Sequence, residues 1–291
     1  MFNEAPSIFF IGVARNSATF LPGALANLDR LAKLSHRHAG LIVENDSTDD
    51  TKAILAQWAV DRDSFEMVSL DGIGAIAVRC LRLEMIRNYC ISAARQLRAQ
   101  DYDLLVIMDL DDASDYRIDE EAFISATEYL RAVPGRAAVF PNQLGFYRDL
   151  WALRHPERFP VDCREEVFDA VLAGDLTDQE AFDQTLGKRL FSISPADAPI
   201  RVDSAFGGLG IYKTSFALNN PSPYVGSKVR AFAKGHKLFP FIRWEVCEHV
   251  HFNQGLRQLG GELIIMPDLI NGTTEGCSLP APHTFRHFMF R

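Results

Sequence analysis

The sequence has no C-x-x-C pair, no surplus of basic residues and no apolar run long enough to cross a membrane. Its five cysteines, Cys80, Cys90, Cys163, Cys247 and Cys277, are odd in number and widely spaced. Neither a disulfide framework nor a zinc or dithiol centre is indicated, and a reducing compartment is expected. Asp and Glu number 38 against 30 Lys and Arg, a net charge of −8 and the wrong sign for a general nucleic-acid binder. Small molecules or sugars are the expected partners. The opening MFNEAPSIFFIGVARN lacks a basic n-region, and Arg15 and Asn16 cut its apolar run short. No secretion signal or membrane span is expected there, and the protein reads as cytoplasmic. Low-complexity, repeated and linker-like segments are also missing.

What is present is enough apolar material for a sizeable core: 291 residues, 47% hydrophobic, sufficient for one large domain or two small ones. The first half alternates short apolar runs with longer amphipathic stretches, the rhythm of strands and crossover helices in an α/β fold with a mostly parallel sheet. Strands are predicted at Ser7 to Ala14, Leu41 to Glu44 and Phe65 to Leu70. In Asp103 to Met108 a continuous apolar run, bounded by acids, predicts a central strand buried on both faces. Helices are predicted over Ala18 to Leu34 with Pro22 in the first turn, from the Ser47 to Asp50 cap through Trp58, and over Arg79 to Arg98.

The second half loses this alternation. Residues 145–200 are polar and helix-like, whereas 201–213 and 241–252 read as strands. The expected organisation is a single domain over 1–291, with a nucleotide-binding half at about 1–113 and an acceptor-side half at about 114–291 carrying a helical insertion at 145–200.

In open parallel sheets ligands bind beyond the carboxyl ends of the strands. Those ends are polar here: Arg15 and Asn16, then Glu44, Asn45 and Asp46, then Asp71, then Asp109, Asp111 and Asp112. Carboxylates crowded at one rim raise each other's pKa unless a cation neutralises them, so Mg²⁺ or Mn²⁺ is expected at Asp109 to Asp112 with substrate phosphates completing its shell. The alternative for any one acid is a helix cap or a solvated side chain.

These segments together resemble the GT-A fold of nucleotide-sugar-dependent glycosyltransferases, a Rossmann-like mixed sheet flanked by helices. Leu41 to Thr51 (LIVENDSTDDT) is similar to the family's strand ending in V-D-D-G-S-T-D, with Glu44 in the place of the acid that contacts the nucleoside. Arg79 to Asn88 (RCLRLEMIRN) is similar to an R-x-x-R-x-x-x-x-R-N stretch whose arginine approaches the donor diphosphate. Asp109-Leu110-Asp111 stands where the family has D-x-D. The resemblance covers about residues 7–113. It implies a donor site of Ala14, Arg15, Glu44, Asp46, Asp71, Arg79, Arg87, Asp109 and Leu110, and metal ligands at Asp109 and Asp111.

A sparser likeness lies at Ser204 to Tyr212 and Glu245 to Asn253, regions that line the acceptor side in related branches. Gly207 and Gly208 would let the backbone approach a sugar closely, or serve a bulge or strand bend. Read as a strand, Trp244 to Phe252 puts Glu248 among Trp244, Val246, Val250 and Phe252, an anomalous carboxylate on an apolar face. Glu248 is therefore a candidate general base or acceptor contact, with a buried ion pair to arginine as the structural alternative. His249 or His251 is a candidate further metal ligand, as a C-terminal histidine is in several such branches. The C-terminal stretch 282–291 mixes aromatic and basic residues, consistent with peripheral association at the inner face of a membrane or with docking onto the domain.

The implied reaction is transfer from a nucleoside-diphosphate sugar to a hydroxyl of a glycan or lipid-linked acceptor. An apolar strand followed by D-x-D is also the signature of haloacid-dehalogenase-like phosphohydrolases, with Asp109 as nucleophile. Against that reading stand Ala113 after the motif and the motif's distance from the N-terminus. A non-catalytic sugar- or nucleotide-binding relative is the remaining alternative.

Overall fold

The computed structural model describes residues 4–173, 176–231 and 241–274. In chain order the elements are β1 (Ser7–Ala14), α1 (Leu21–Lys33), β2 (Arg37–Glu44), α2 (Thr51–Ala59), β3 (Phe65–Ser69), α3 (Arg79–Gln96), β4 (Leu104–Asp109), α4 (Glu120–Ala132) and β5 (Arg136–Leu144). Then come α5 (Cys163–Ala173), α6 (Asp178–Gln184), β6 (Ile200–Val202), β7 (Leu209–Lys213), α7 (Thr214–Leu218), β8 (Ser227–Ala231), β9 (Phe241–Glu245), α8 (Glu248–Gln258) and β10 (Glu262–Thr273). No helix among the described residues is long and apolar enough to cross a membrane.

Eight strands form one mixed sheet in the order β3-β2-β1-β4-β7-β5-β10-β6. Pairing is parallel from β3 through β4, and again between β5 and β10. β7 runs antiparallel between β4 and β5, and β6 is an antiparallel edge. The expected mostly parallel α/β sheet is what forms. The central strands β1 and β4 are apolar along nearly their whole length because both faces are covered. On β1, Phe9, Ile11 and Val13 pack with Ile86, Cys90 and Ile91 of α3, whereas Ile8 and Phe10 pack with Leu21, Leu25 and Leu28 of α1 and Phe123 and Leu130 of α4. Period-two alternation thus sorts one strand's side chains into two separate cores.

Within 145–200 the chain is part helix and part loop, and its Phe159, Phe182 and Ile193 lie in the same cluster as Phe140 and Ile265 of the sheet. Two strand predictions need correction. The strand expected over 201–213 is broken between β6 and β7 by a turn in which Gly207 and Gly208 take φ of +69° and +89°. The strand expected over 241–252 stops at Glu245, and α8 begins at Glu248. Glu248, Phe252 and Leu256 recur every four residues and are all buried, so helical packing wins over an alternation the same residues also satisfy. The C-terminal stretch 282–291 lies outside the described residues.

Candidate active site

The carboxyl ends of β1, β2 and β4 open onto a cleft of about 230 Å³ lined by Val13, Arg15, Ser17, Asn45, Arg79, Arg82, Leu83, Ile86, Asp109 and Asp111. Its acidic wall follows from local register. Leu110 is fully buried and packs with the α1 and α4 core, and its N–H donates to the Val13 carbonyl at 2.8 Å. Alternation then turns Asp109 and Asp111 to the other side, into the cleft. The basic wall comes from the first turn of α3, where Arg79 and Arg82 are three residues apart and share a helix face.

Asp109 is held by Arg87, whose Nη2 donates to its Oδ1 at 2.8 Å. The same guanidinium donates from Nε to Glu248 Oε1, also at 2.8 Å, and lies over the Phe206 and Tyr224 rings. Arg87 and Glu248 are each 3% exposed, so two carboxylates share one buried cation, and Arg87 stays protonated far above the ordinary arginine range. Burial opposes that shift, and the charges of Asp109 and Glu248 overcome it. Asp111 has no such partner among the described residues. Its Oδ1 accepts from the Ala113 N–H at 2.9 Å, and desolvation together with the nearby Asp109 charge pushes its carboxyl up to about 6.

Several predicted residues are elsewhere. Glu248 does not line the cleft, and the ion pair weighed as its alternative is the one that forms. His249 is 2% exposed and stacks on Phe206 with ring centroids 3.6 Å apart, and burial holds it neutral, well below the usual histidine range. His251 engages the Pro223 carbonyl through Nδ1 at 2.7 Å. Neither histidine joins the two aspartates: among the described residues no three His, Cys, Asp or Glu side chains converge to hold a metal ion.

Glu44 lies at the end of β2, but its carboxylate accepts from Ser47 N–H at 2.6 Å and Ser69 Oγ at 2.8 Å, and pairs with Lys52 at 3.6 Å. Asp46 takes φ +48° and accepts from the Gly72 N–H at 2.8 Å and from the Gly74 N–H, which holds its carboxyl below the usual range. Asp71 is exposed and pairs with Lys52 at 3.2 Å. Ala14 is buried and contributes backbone alone, its carbonyl accepting from Asn45. Of the predicted donor residues, the cleft gathers Arg15, Arg79 and Asp109.

A second cleft of about 210 Å³ lies on the other side of the same segment, lined by Phe20, Asp112, Tyr116, Arg148, Gly207, Asn271 and their neighbours. Gly207 is therefore at a cavity, whereas a Cβ at Gly208 would fall 2.4 Å from that of Ala113. The donor set implied by the resemblance omits Asn45, Ser17 and Arg82, although Asn45 and Arg82 lie in the segments that carry it. The i, i+3 spacing of Arg79 and Arg82 signals the last of these, whereas nothing local separates Asn45 from its acidic neighbours.

No protein-family model matches the chain, and no curated protein does. Solved structures do. A mannosyltransferase from Pyrobaculum calidifontis, in complex with GDP-Man and Mn²⁺, superposes with a TM-score of 0.50 at 15% identity, over 98% of this chain and 61% of that one. The chain has the fold of a glycosyltransferase. TarS from S. aureus gives a TM-score of 0.49 at 12% identity over 91% of this chain and 59% of its own. Its complex with UDP-GlcNAc gives 0.47 at 13%, over 97% and 64%. The chain spans about three fifths of the length of these structures.

Proposed function

We propose that the chain transfers a sugar from a nucleoside diphosphate to a hydroxyl of a carbohydrate or lipid-linked acceptor. The observation that carries this reading is the meeting of Asp109 and Asp111 with Arg15, Arg79 and Arg82 in one cleft at the carboxyl ends of the strands. Arginines on one wall and acids on the other suit a ligand that is itself anionic and arrives with a cation. The fold shared with a mannosyltransferase solved with GDP-Man and Mn²⁺ supports it.

A divalent cation fits this donor set. Asp111 makes no direct ion pair among the described residues, and one or two carboxylates suffice for Mn²⁺ or Mg²⁺ when phosphate oxygens and water supply the rest. Asp111 would hold the ion with Asp109 beside it, and neither histidine takes part. Bound there, the ion supplies charge neutralisation for a departing diphosphate. The chain's own part is positioning and electrostatics. Arg79 and Arg82 donate to the diphosphate, and their charges count for more as the anomeric bond breaks and negative charge accumulates. Arg87 holds Asp109 in place, and Glu248 holds Arg87, which makes Glu248 a positioning residue. The second cleft, with Gly207 and Tyr116, is the acceptor's place in this reading. The phosphohydrolase alternative needs Asp109 as a free nucleophile, whereas Arg87 occupies its Oδ1.

The test is a thermal-shift panel of UDP-, GDP-, CMP- and dTDP-sugars with and without Mn²⁺. A rise in Tm that one nucleotide produces only with metal, and that Asp111→Ala abolishes, supports the proposal. No shift with any donor, or full metal-dependent turnover by Asp111→Ala, overturns it.

A further inference from the structure

The turn that carries Asp111 is held by a strand three places away across the sheet, β10. Asp111 Oδ1 accepts from the Ala113 N–H at 2.9 Å, and the Ala113 carbonyl in turn accepts from Asn271 Nδ2 at 3.2 Å. The same nitrogen donates to the Gly207 carbonyl at 2.6 Å. One residue further on, the Gly208 carbonyl accepts from the Asp109 N–H at 2.9 Å. One amide thus ties together the two segments that support both aspartates, at sequence distances of 158 and 64 residues.

The side chain and the backbone both suit Asn271 to this. It is 1% exposed, and its amide carries two N–H donors on one nitrogen beside an oxygen that accepts. All three are engaged, because Oδ1 accepts from Gln143 Nε2 at 2.9 Å, and Gln143 is itself buried. Ile270 pairs with Asn142 and Thr273 with Leu144, so two residues of β10, Asn271 and Gly272, stand opposite Gln143 alone on β5. A bulge of this kind disrupts the ladder locally and re-aims a side chain, here toward the aspartate segments. Asp111 makes no direct ion pair among the described residues, so the hydrogen bonds of its turn set the direction of its carboxylate.

We propose that Asn271, clamped by Gln143, is a positioning residue that fixes Asp109 and Asp111 relative to each other for the divalent cation. This rests on the donor site proposed above. Outer hydrogen bonds that hold ligating carboxylates are typically worth about ten- to a hundredfold in metal affinity.

The experiment is Mn²⁺ titration followed by water-proton relaxation, with Mn²⁺ alone and with UDP or GDP, on the unaltered full chain and on Asn271→Ala, Gln143→Ala and Asn142→Ala, each checked for folding by Tm. Asn142 is the matched control. It is also fully buried and donates from Nδ2 to two carbonyls, those of Ile193 and Pro267 at 3.0 Å each, and neither lies in the aspartate segments. Asn271→Ala is expected to weaken Mn²⁺ binding at least about tenfold, and Gln143→Ala, which leaves Asn271 in place without its clamp, to weaken it by a smaller factor. Asn142→Ala lowers Tm and leaves Mn²⁺ affinity unchanged. Should Asn271→Ala fail to fold, Gln143→Ala decides. Unchanged Mn²⁺ affinity in the folded variant, or an equal loss in Asn142→Ala, overturns the positioning role and leaves the donor site standing. Absence of Mn²⁺ binding by the unaltered protein, alone and with either nucleotide, overturns the role together with the donor site on which it rests.

Discussion

Arg87 and Glu248 are 161 positions apart in the chain and 2.8 Å apart in space, and both are buried. Their ion pair joins α3 to α8 beneath the cleft and fixes the guanidinium that also grips Asp109. Removing one partner of such a group leaves uncompensated charge in the interior, which outweighs the loss of the contact itself.

Arg87→Ala is accordingly expected to destabilise the protein by about 3–5 kcal/mol in urea unfolding, since two carboxylates lose their shared cation. Glu248→Gln keeps the shape and an acceptor and should cost less. Because Glu248 acts through Arg87, Glu248→Gln is expected to retain measurable transfer with an unchanged pH profile. Complete inactivity at undiminished stability would instead restore Glu248 to the role of base.

Asp111 gives a pH signature of opposite sign to that of a salt-bridged acid. Its carboxyl is raised from 3.8 to about 6 in the folded chain, so the native state binds more protons than the unfolded state between those values. Stability contributed by this group therefore falls as pH rises from about 4 to 6, and the penalty is fully present above 6. Asp111→Asn should raise stability at pH 7.5, in chelator, by on the order of 3 kcal/mol, and the gain should vanish near pH 4. An unchanged Tm at pH 7.5 would show that the carboxylate is already neutralised.

His249 works in the other direction. Its folded pKa lies well below 6.5 because burial disfavours the imidazolium, so below pH 6.5 the unfolded chain takes up a proton that the native state refuses. Stability contributed by this group is then lost as pH falls below 6.5. Among the described residues neither ring nitrogen has a hydrogen-bond partner, and the ring stacks on Phe206. His249→Phe should keep the stack and remove this slope, measured as Tm from pH 5 to 7.

Gly208 and Gly72 separate backbone strain from crowding. Both have φ +89°, but a Cβ at Gly208 would lie 2.4 Å from that of Ala113, whereas at Gly72 nothing lies within 4 Å. Alanine at Gly72 should cost about 1 kcal/mol, and at Gly208 distinctly more, since the segment after Asp111 must also shift. Equal losses at the two positions would show that the 113 contact gives way freely.

Much of the architecture could be read along the chain. The β1 and β3 strands begin within a residue of where their apolar patterns place them, and α3 begins at Arg79 as expected. β2 starts earlier than its pattern, at Arg37, because its exposed beginning pairs with β1 through backbone that side-chain hydropathy does not reveal. The segment after Trp244 misled because its buried residues satisfy both a two-residue and a four-residue repeat, and only packing against the sheet chooses between them.

The sequence by itself determined the alternation that buries Leu110 and turns Asp109 and Asp111 the same way, because residue type and local period decide which face meets the core. Tertiary structure alone decided which polar groups remain available to a ligand. Glu44 is consumed by Ser69 and Lys52 and Asp109 is shared with Arg87, whereas the Asp111 carboxylate makes no ion pair among the described residues. Hydrogen bonds and ion pairs saturate through partners distant in the chain, so a side chain's chemistry is local whereas its availability is a property of the folded whole.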